Sequence, residues 1–280
     1  MLRSLRINLK ITKPALRCFS SEHEKLITVE TNNKTGIATL SLNRPPVNSL
    51  NLELLQTLKE TINNLEDNKC QGLILTAKDN GVFTSGLDIN ELYEAQKERL
   101  EQFYAAFQDT WLVLYSSRLP TAALINGHSP AGGCVYATCC DFRVMLSNLT
   151  IGLNETKLGL VAPKYVTASF CNALPNRAAE LALTQGKMFT TDEAFKVGLI
   201  DELATSKKEG LNKCEQFLAS FKGVNSNARA FTKLQFRKSD IEAFQKERNA
   251  DLNVFVSRVL EPKFQQQLGK YIENLRNKNK

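Results

Sequence analysis

The chain has 280 residues, 42% hydrophobic and 23% charged, the proportions of an ordinary globular protein long enough to bury a sizeable core. No apolar run reaches the length of a membrane-spanning helix. The net charge of +7 suggests nucleic acid until it is located. Arg3, Arg6, Lys10, Lys13 and Arg17 fall within residues 1–19, which hold no acid, and removing these five cations leaves +2.

An acid-free, arginine-bearing N-terminus with apolar residues between its charges has the composition of a mitochondrial transit peptide. Residues 1–19 are read as that leader, and Arg17-Cys18-Phe19-Ser20 resembles a matrix-protease site. The mature chain is then expected to begin near Ser20 in the mitochondrial matrix; the plainer alternative is a disordered basic tail. Seven cysteines stand at 18, 70, 134, 139, 140, 171 and 214, with no C-x-x-C pair and only His23 and His128 as imidazoles. Zinc is poorly supported by that set, and the scattered, odd number fits unpaired packing residues in a reducing compartment.

In chain order, Leu26–Thr31 and Ile37–Leu42 read as strands joined by the turn chemistry of Asn32-Asn33-Lys34-Thr35-Gly36. Arg44-Pro45-Pro46 stops the second, and Asn51 can cap a helix whose apolar stripe is Leu54, Leu55, Leu58, Ile62 and Leu65. Gly72–Thr76 is a short buried strand. A helix is expected over roughly Ile89–Ser116, then a strand through Leu119–Ile125, a small-residue helix over Ala131–Cys139 and a strand over Asp141–Met145. Short strands alternating with helices indicate an α/β fold with substantial parallel pairing. From about Lys164 the chain reads as almost wholly helical: Asn176–Gln185 ended by Gly186, a capping box at Thr190 and Glu193, then amphipathic helices within 206–222 and 226–276. Such a tail has more apolar stripes than it can bury on itself, so packing against another subunit is expected. Its lysines and arginines read as solvated faces.

Two strand-to-loop junctions depart from this pattern. One is Phe83-Thr84-Ser85-Gly86-Leu87-Asp88; the other is Ser129-Pro130-Ala131-Gly132-Gly133-Cys134, which enters the small-residue helix. Glycines let backbone approach a ligand, and a helix start offers unpaired N–H donors; two donors aimed at one point form an oxyanion hole. Either loop alone reads more readily as a glycine turn.

Taken together and in order, four segments resemble the crotonase (enoyl-CoA hydratase/isomerase) superfamily over about residues 24–280. They are Leu42–Leu50 (LNRPPVNSL), Gly81–Ile89 (GVFTSGLDI), Ile125–Cys134 (INGHSPAGGC) and Ile151–Gly159 (IGLNETKLG). The first and last are similar to the mitochondrial Δ3,Δ2-enoyl-CoA isomerase branch. The resemblance implies a crotonase-like spiral of ββα units over residues 20–200 and a C-terminal helical region, 201–280, that builds a homotrimer. It implies an acyl-CoA thioester substrate, oxyanion-hole amides at Leu87 and Gly132, and a site lined by Ser85, Gly86, Leu87, Asp88, Ile89 and Gly132. No metal or redox cofactor is implied, CoA being part of the substrate.

Within the family, hydration uses two glutamates, and here the first of those positions is Val135 while the second is Glu155. One carboxylate suits proton shuttling rather than addition of water. The expectation is therefore an isomerase of fatty-acid β-oxidation, in which Glu155 moves a proton from C2 to C4 of a 3-enoyl-CoA. The alternatives are a hydratase or dienoyl-CoA isomerase of the same fold, and a non-catalytic RNA-binding member, which the near-neutral body disfavours. Asp88 reads as a cap or anchor rather than a catalyst, His128 as a packing or hydrogen-bonding residue. Phe103, Tyr104, Phe107 and Trp111 read as core or acyl-pocket wall.

Overall fold

The computed structural model describes residues 26–278; the expected leader and the start near Ser20 lie outside the described residues. The larger sheet contains β1 (Ile27–Thr31), β2 (Ile37–Leu42), β3 (Gly72–Ala77), β5 (Thr121–Ile125), β7 (Phe142–Leu146) and β10 (Glu202–Ala204), in the order β1-β2-β3-β5-β7-β10. Only the β1–β2 pair is antiparallel, with Ile27 opposite Leu42. Every residue of β3 and β5 is buried, as expected of parallel strands covered on both faces. Alternation divides them: Leu73, Leu75, Ala123 and Ile125 face the main core. Ile74, Ala122 and Leu124 face α7 (Lys207–Ala219), whose Cys214 and Leu218 close a smaller core.

The second sheet is what aligns the functional segments. After β3, β5 and β7 the chain adds β4 (Gly81–Val82), β6 (Gly127–Pro130) and β8 (Thr150–Gly152), which pair in parallel side by side and are edged by β9 (Phe189–Thr190). Each turn is therefore two strands followed by helix, the ββα spiral expected of the superfamily. The chain leaves β4, β6 and β8 at neighbouring points, so the segments that follow them are brought together. Asn126 fixes the change of sheet: its side chain, 1% exposed, accepts from Thr76 Oγ1 (3.0 Å) and the Ala77 N–H (3.1 Å) and donates to the Ala77 carbonyl (2.9 Å).

Helix α1 (Leu52–Asp67) is capped by Asn51, whose side chain accepts from the Leu54 N–H at 3.1 Å, and it buries Leu54, Leu55, Leu58 and Ile62 as the stripe requires. The helix expected over Ile89–Ser116 divides into a 3₁₀ turn at Ile89–Glu91 and α2 (Lys97–Tyr115). The interruption coincides with Glu91, which turns inward to accept from the Leu52 N–H and pairs with Arg99, and with Glu94, held at φ 51°. Helix α3 (Gly132–Cys139) is buried throughout. A 3₁₀ turn at Glu155–Leu158 leads to α4 (Lys164–Cys171) and α5 (Asn176–Gln185), which ends on left-handed Gly186. Thr190 and Glu193 form the expected capping box of α6 (Thr191–Lys196).

The stretch 226–276 divides into α8 (Ser226–Val259) and α9 (Pro262–Lys278), the break falling just before Pro262. Two basic residues of α8 are anchors rather than solvated. Lys233 donates to the Leu119 carbonyl (3.0 Å) and Asp141 (2.8 Å), and Arg237 to the Tyr115 (2.7 Å) and Cys139 (3.0 Å) carbonyls. Arg237 thus closes the C-terminal ends of α2 and α3, where helix carbonyls lack intrahelical donors.

Candidate active site

The first loop is built from below. Asn48, at φ 50°, donates to the carbonyls of Val82 (3.1 Å) and Phe83 (3.2 Å). The Leu50 N–H donates to the Gly86 carbonyl at 2.8 Å, and the Asp88 N–H to the Leu50 carbonyl at 3.0 Å. The 3% exposed Asp88 pairs with Arg44 at 2.8 Å, accepts from Ser49 Oγ at 3.0 Å, and caps the following 3₁₀ turn by accepting from the Asn90 N–H. These bonds clamp both sides of Leu87 while leaving its own N–H without a protein acceptor among the described residues. Gly132 is the first residue of α3, so its N–H has no intrahelical partner either.

The two loops touch at their glycines. A Cβ on Gly132 would stand 3.2 Å from Gly86 Cα and 2.8 Å from Leu50 Cδ1, and a Cβ on Gly86 would stand 3.1 Å from Gly132 N. Gly86 also has φ +88°, a conformation side chains rarely adopt. The close approach of the loops therefore requires hydrogen at both positions.

Beside them lies a cavity of about 360 Å³. Ser85, Leu87 and Ile89 line it from the first loop and Gly132 from the second. Gly86 sits behind Gly132, and the Asp88 carboxylate is turned to Arg44 and Ser49 rather than to the cavity. Val135 lines it from α3, and Asn154 and Glu155 from the segment after β8. Glu155 is the one carboxylate among the described lining residues, and its Oε2 is buried without a hydrogen-bond partner among the described residues. Burial in this apolar space raises its pKa, countered only by its own backbone N–H. Asn154 Oδ1 is likewise buried and unpartnered. Among the described residues, two N–H groups without acceptors and a carboxylate oxygen without a donor line one space, an arrangement suited to a ligand that develops negative charge at one atom and gives up a proton at another.

Apart from Gln267 of α9, the remaining walls are largely apolar. Tyr104 and Phe107 of α2 line the cavity, while Phe103 and Trp111 belong to the core beyond it. His128 is exposed and bonded to Thr150. Phe255 and Val259 of α8 and Phe264, Leu268 and Tyr271 of α9 also line the space. Sequence reading assigned these helices to assembly, although their three- and four-residue apolar spacing was the available signal.

A sequence model described as enoyl-CoA hydratase/isomerase matches residues 32–280. The chain belongs to that family. Rat "Enoyl-CoA delta isomerase 1, mitochondrial" is 38% identical over 257 residues, 91% of this chain and 89% of the relative, and the human protein of the same name is 36% identical over 253 residues, 89% and 83%. The crystal structure of human mitochondrial delta3-delta2-enoyl-CoA isomerase superimposes with a TM-score of 0.88 at 35% identity, covering 91% of this chain and all of that one. Enoyl-CoA hydratase from Bacillus halodurans gives 0.78 at 24% identity over 88% and 99%, a likeness that bears on the fold alone. As a family member the chain carries the α/β spiral and C-terminal helices seen above, and no helix among the described residues is long and apolar enough to cross a membrane.

Proposed function

We propose that this family member is a Δ3,Δ2-enoyl-CoA isomerase of the mitochondrial matrix, acting in fatty-acid β-oxidation. The observation that carries the reading is Glu155, the one carboxylate lining an apolar cavity and with Oε2 unpartnered, beside Leu87 and Gly132, whose N–H groups have no acceptor among the described residues.

The thioester oxygen of a 3-enoyl-CoA accepts from both N–H groups. The Glu155 carboxylate removes a proton from C2, and the electron pair passes into the carbonyl and the C3=C4 bond as a dienolate. The carboxyl group then returns the proton at C4, leaving a 2-trans double bond conjugated with the thioester. An α-proton is too weakly acidic for a carboxylate unless the enolate is held, and each preorganised donor contributes about 3–4 kcal/mol to holding it. Burial helps as well: a carboxylate with a raised pKa is a stronger base and is able to give the proton back. The reaction needs no cofactor beyond the CoA of the substrate.

Val135 argues against hydration, because its side chain cannot activate water, and no further carboxylate is found among the described lining residues. Assembly as a homotrimer is part of the proposal, supported by large apolar side chains that α8 leaves in solvent, Phe231, Phe236 and Val254. Matrix import is supported by the basic, acid-free residues 1–19. Incubation of the protein from Ser20 onward with 3-enoyl-CoA tests the reaction by its product. Accumulation of 2-trans-enoyl-CoA supports the proposal. Conversion of 2-trans-enoyl-CoA to 3-hydroxyacyl-CoA as the faster reaction makes the protein a hydratase, and RNA binding without turnover of any CoA ester makes it a binding protein.

A further inference from the structure

Phe107 stands against the second loop, 3.6 Å from where a Gly132 Cβ would be. One helical turn earlier on α2, the Tyr104 ring stacks on Phe255 of α8, centroids 3.8 Å apart and planes 8° from parallel. Both rings line the cavity. The Tyr104 hydroxyl points away from it, donating to Asp251 Oδ2 at 2.9 Å and accepting from the Tyr165 hydroxyl at 3.3 Å. Asp251 also accepts from Gln108 Nε2 at 2.8 Å, so the anchor is itself held.

Asp251 and Tyr165 belong to a second cavity of about 240 Å³ between α4 and α8, where Ala168, Ala243 and Phe244 supply apolar surface and Lys164, Asp240 and Glu247 stand as further charged lining residues. Tyr104 lines the first space and is bonded through its hydroxyl to two residues of the second. The ring therefore stands between the first cavity and two wall residues of the second. It is fixed on one side by stacking and on the other by two hydrogen bonds.

We propose that the stacked Tyr104–Phe255 pair is the stop that sets how long an acyl chain the site accepts, with the second cavity as the space a longer chain enters when the pair is removed. This rests on the acyl-thioester reading above and adds a determinant of substrate length to it. A chain that ends at the rings buries every methylene; a longer one must displace a stacked pair and a buried hydrogen bond, or turn back.

Calorimetric titration of the folded chain with unreactive saturated acyl-CoA esters reads this stop without turnover. In the wild type, affinity is expected to rise about fourfold per added methylene, the equivalent of about 0.8 kcal/mol each, up to one limiting length and to level or fall beyond it. In Tyr104→Ala and Phe255→Ala the rise continues past that length by roughly two or more methylenes. Tyr104→Phe, which keeps the ring, keeps the wild-type limit. Phe255→Ala leaves the Tyr104–Asp251 bond in place and decides the matter if Tyr104→Ala does not fold. An unchanged limit in folded alanine variants, or a wild-type series with no limit, overturns the stop alone. A wild type that binds no acyl-CoA overturns the acyl-thioester reading and the stop with it.

Discussion

Glu155 has two opposed consequences at the level of the single side chain. Its burial costs the folded chain something whenever the carboxylate is charged, yet in the proposed reaction the charged form is the base. The kcat/KM for isomerisation is expected to rise with pH as Glu155 ionises, with a midpoint above the ordinary glutamate value of about 4.3. Stability runs the other way. A carboxyl group whose folded pKa is raised adds no penalty below its unfolded pKa and the full penalty above its folded pKa. Glu155→Gln, neutral throughout, should therefore melt above the wild type at about pH 8, with the difference closing toward about pH 4. Thermal melts at both pH values check the sign. Gly132→Ala is expected to lower kcat/KM by about 100-fold, since its Cβ would be 2.8 Å from Leu50 and would push one N–H off its target. Steady-state kinetics with a circular dichroism control separate that effect from unfolding.

At the level of elements, the first loop depends on a segment that does not line the cavity. Arg44, Asn48 and Ser49 hold Asp88 and the Val82 and Phe83 carbonyls, so Leu42–Leu50 acts as a buttress. Arg44→Met should cost about 1–2 kcal/mol in urea unfolding, because it leaves the buried Asp88 with only its neutral donors while the partly exposed arginine was already screened. Activity should fall with it, as the Leu87 N–H loses its support. The sequence motif made this segment recognisable without explaining it. Local patterns found the ends of α1, α5 and α6, where caps and stripes are encoded by neighbouring residues. They missed the second sheet, because β4, β6 and β8 are two to four residues long and acquire their identity from pairing across the spiral. They also ran Ile89 into α2, since the inward turn of Glu91 depends on Arg99 and on α1. The two glycine loops and Glu155 were legible as residues. Their proximity came from the adjacent ends of three parallel strands, which no spacing along the chain expresses.

At the level of the whole molecule, α8 and α9 have two duties. Phe255 and Phe264 close the cavity, while Phe236 and Phe231 remain 79% and 62% exposed, more apolar surface than a solitary helix face ordinarily leaves in water. Light scattering should give a particle of three chains, and Phe231→Asp with Phe236→Asp should shift it toward one chain. A wild type that runs as a monomer at micromolar concentration would contradict the trimer and leave the chemistry standing. The proposed chemistry rests on one proton carrier, and Glu155→Gln tests it most directly. With 3-enoyl-CoA as substrate, the variant should lose about 10³-fold or more in kcat while binding the CoA ester as the wild type does. A variant that isomerises within tenfold of the wild-type rate contradicts the account.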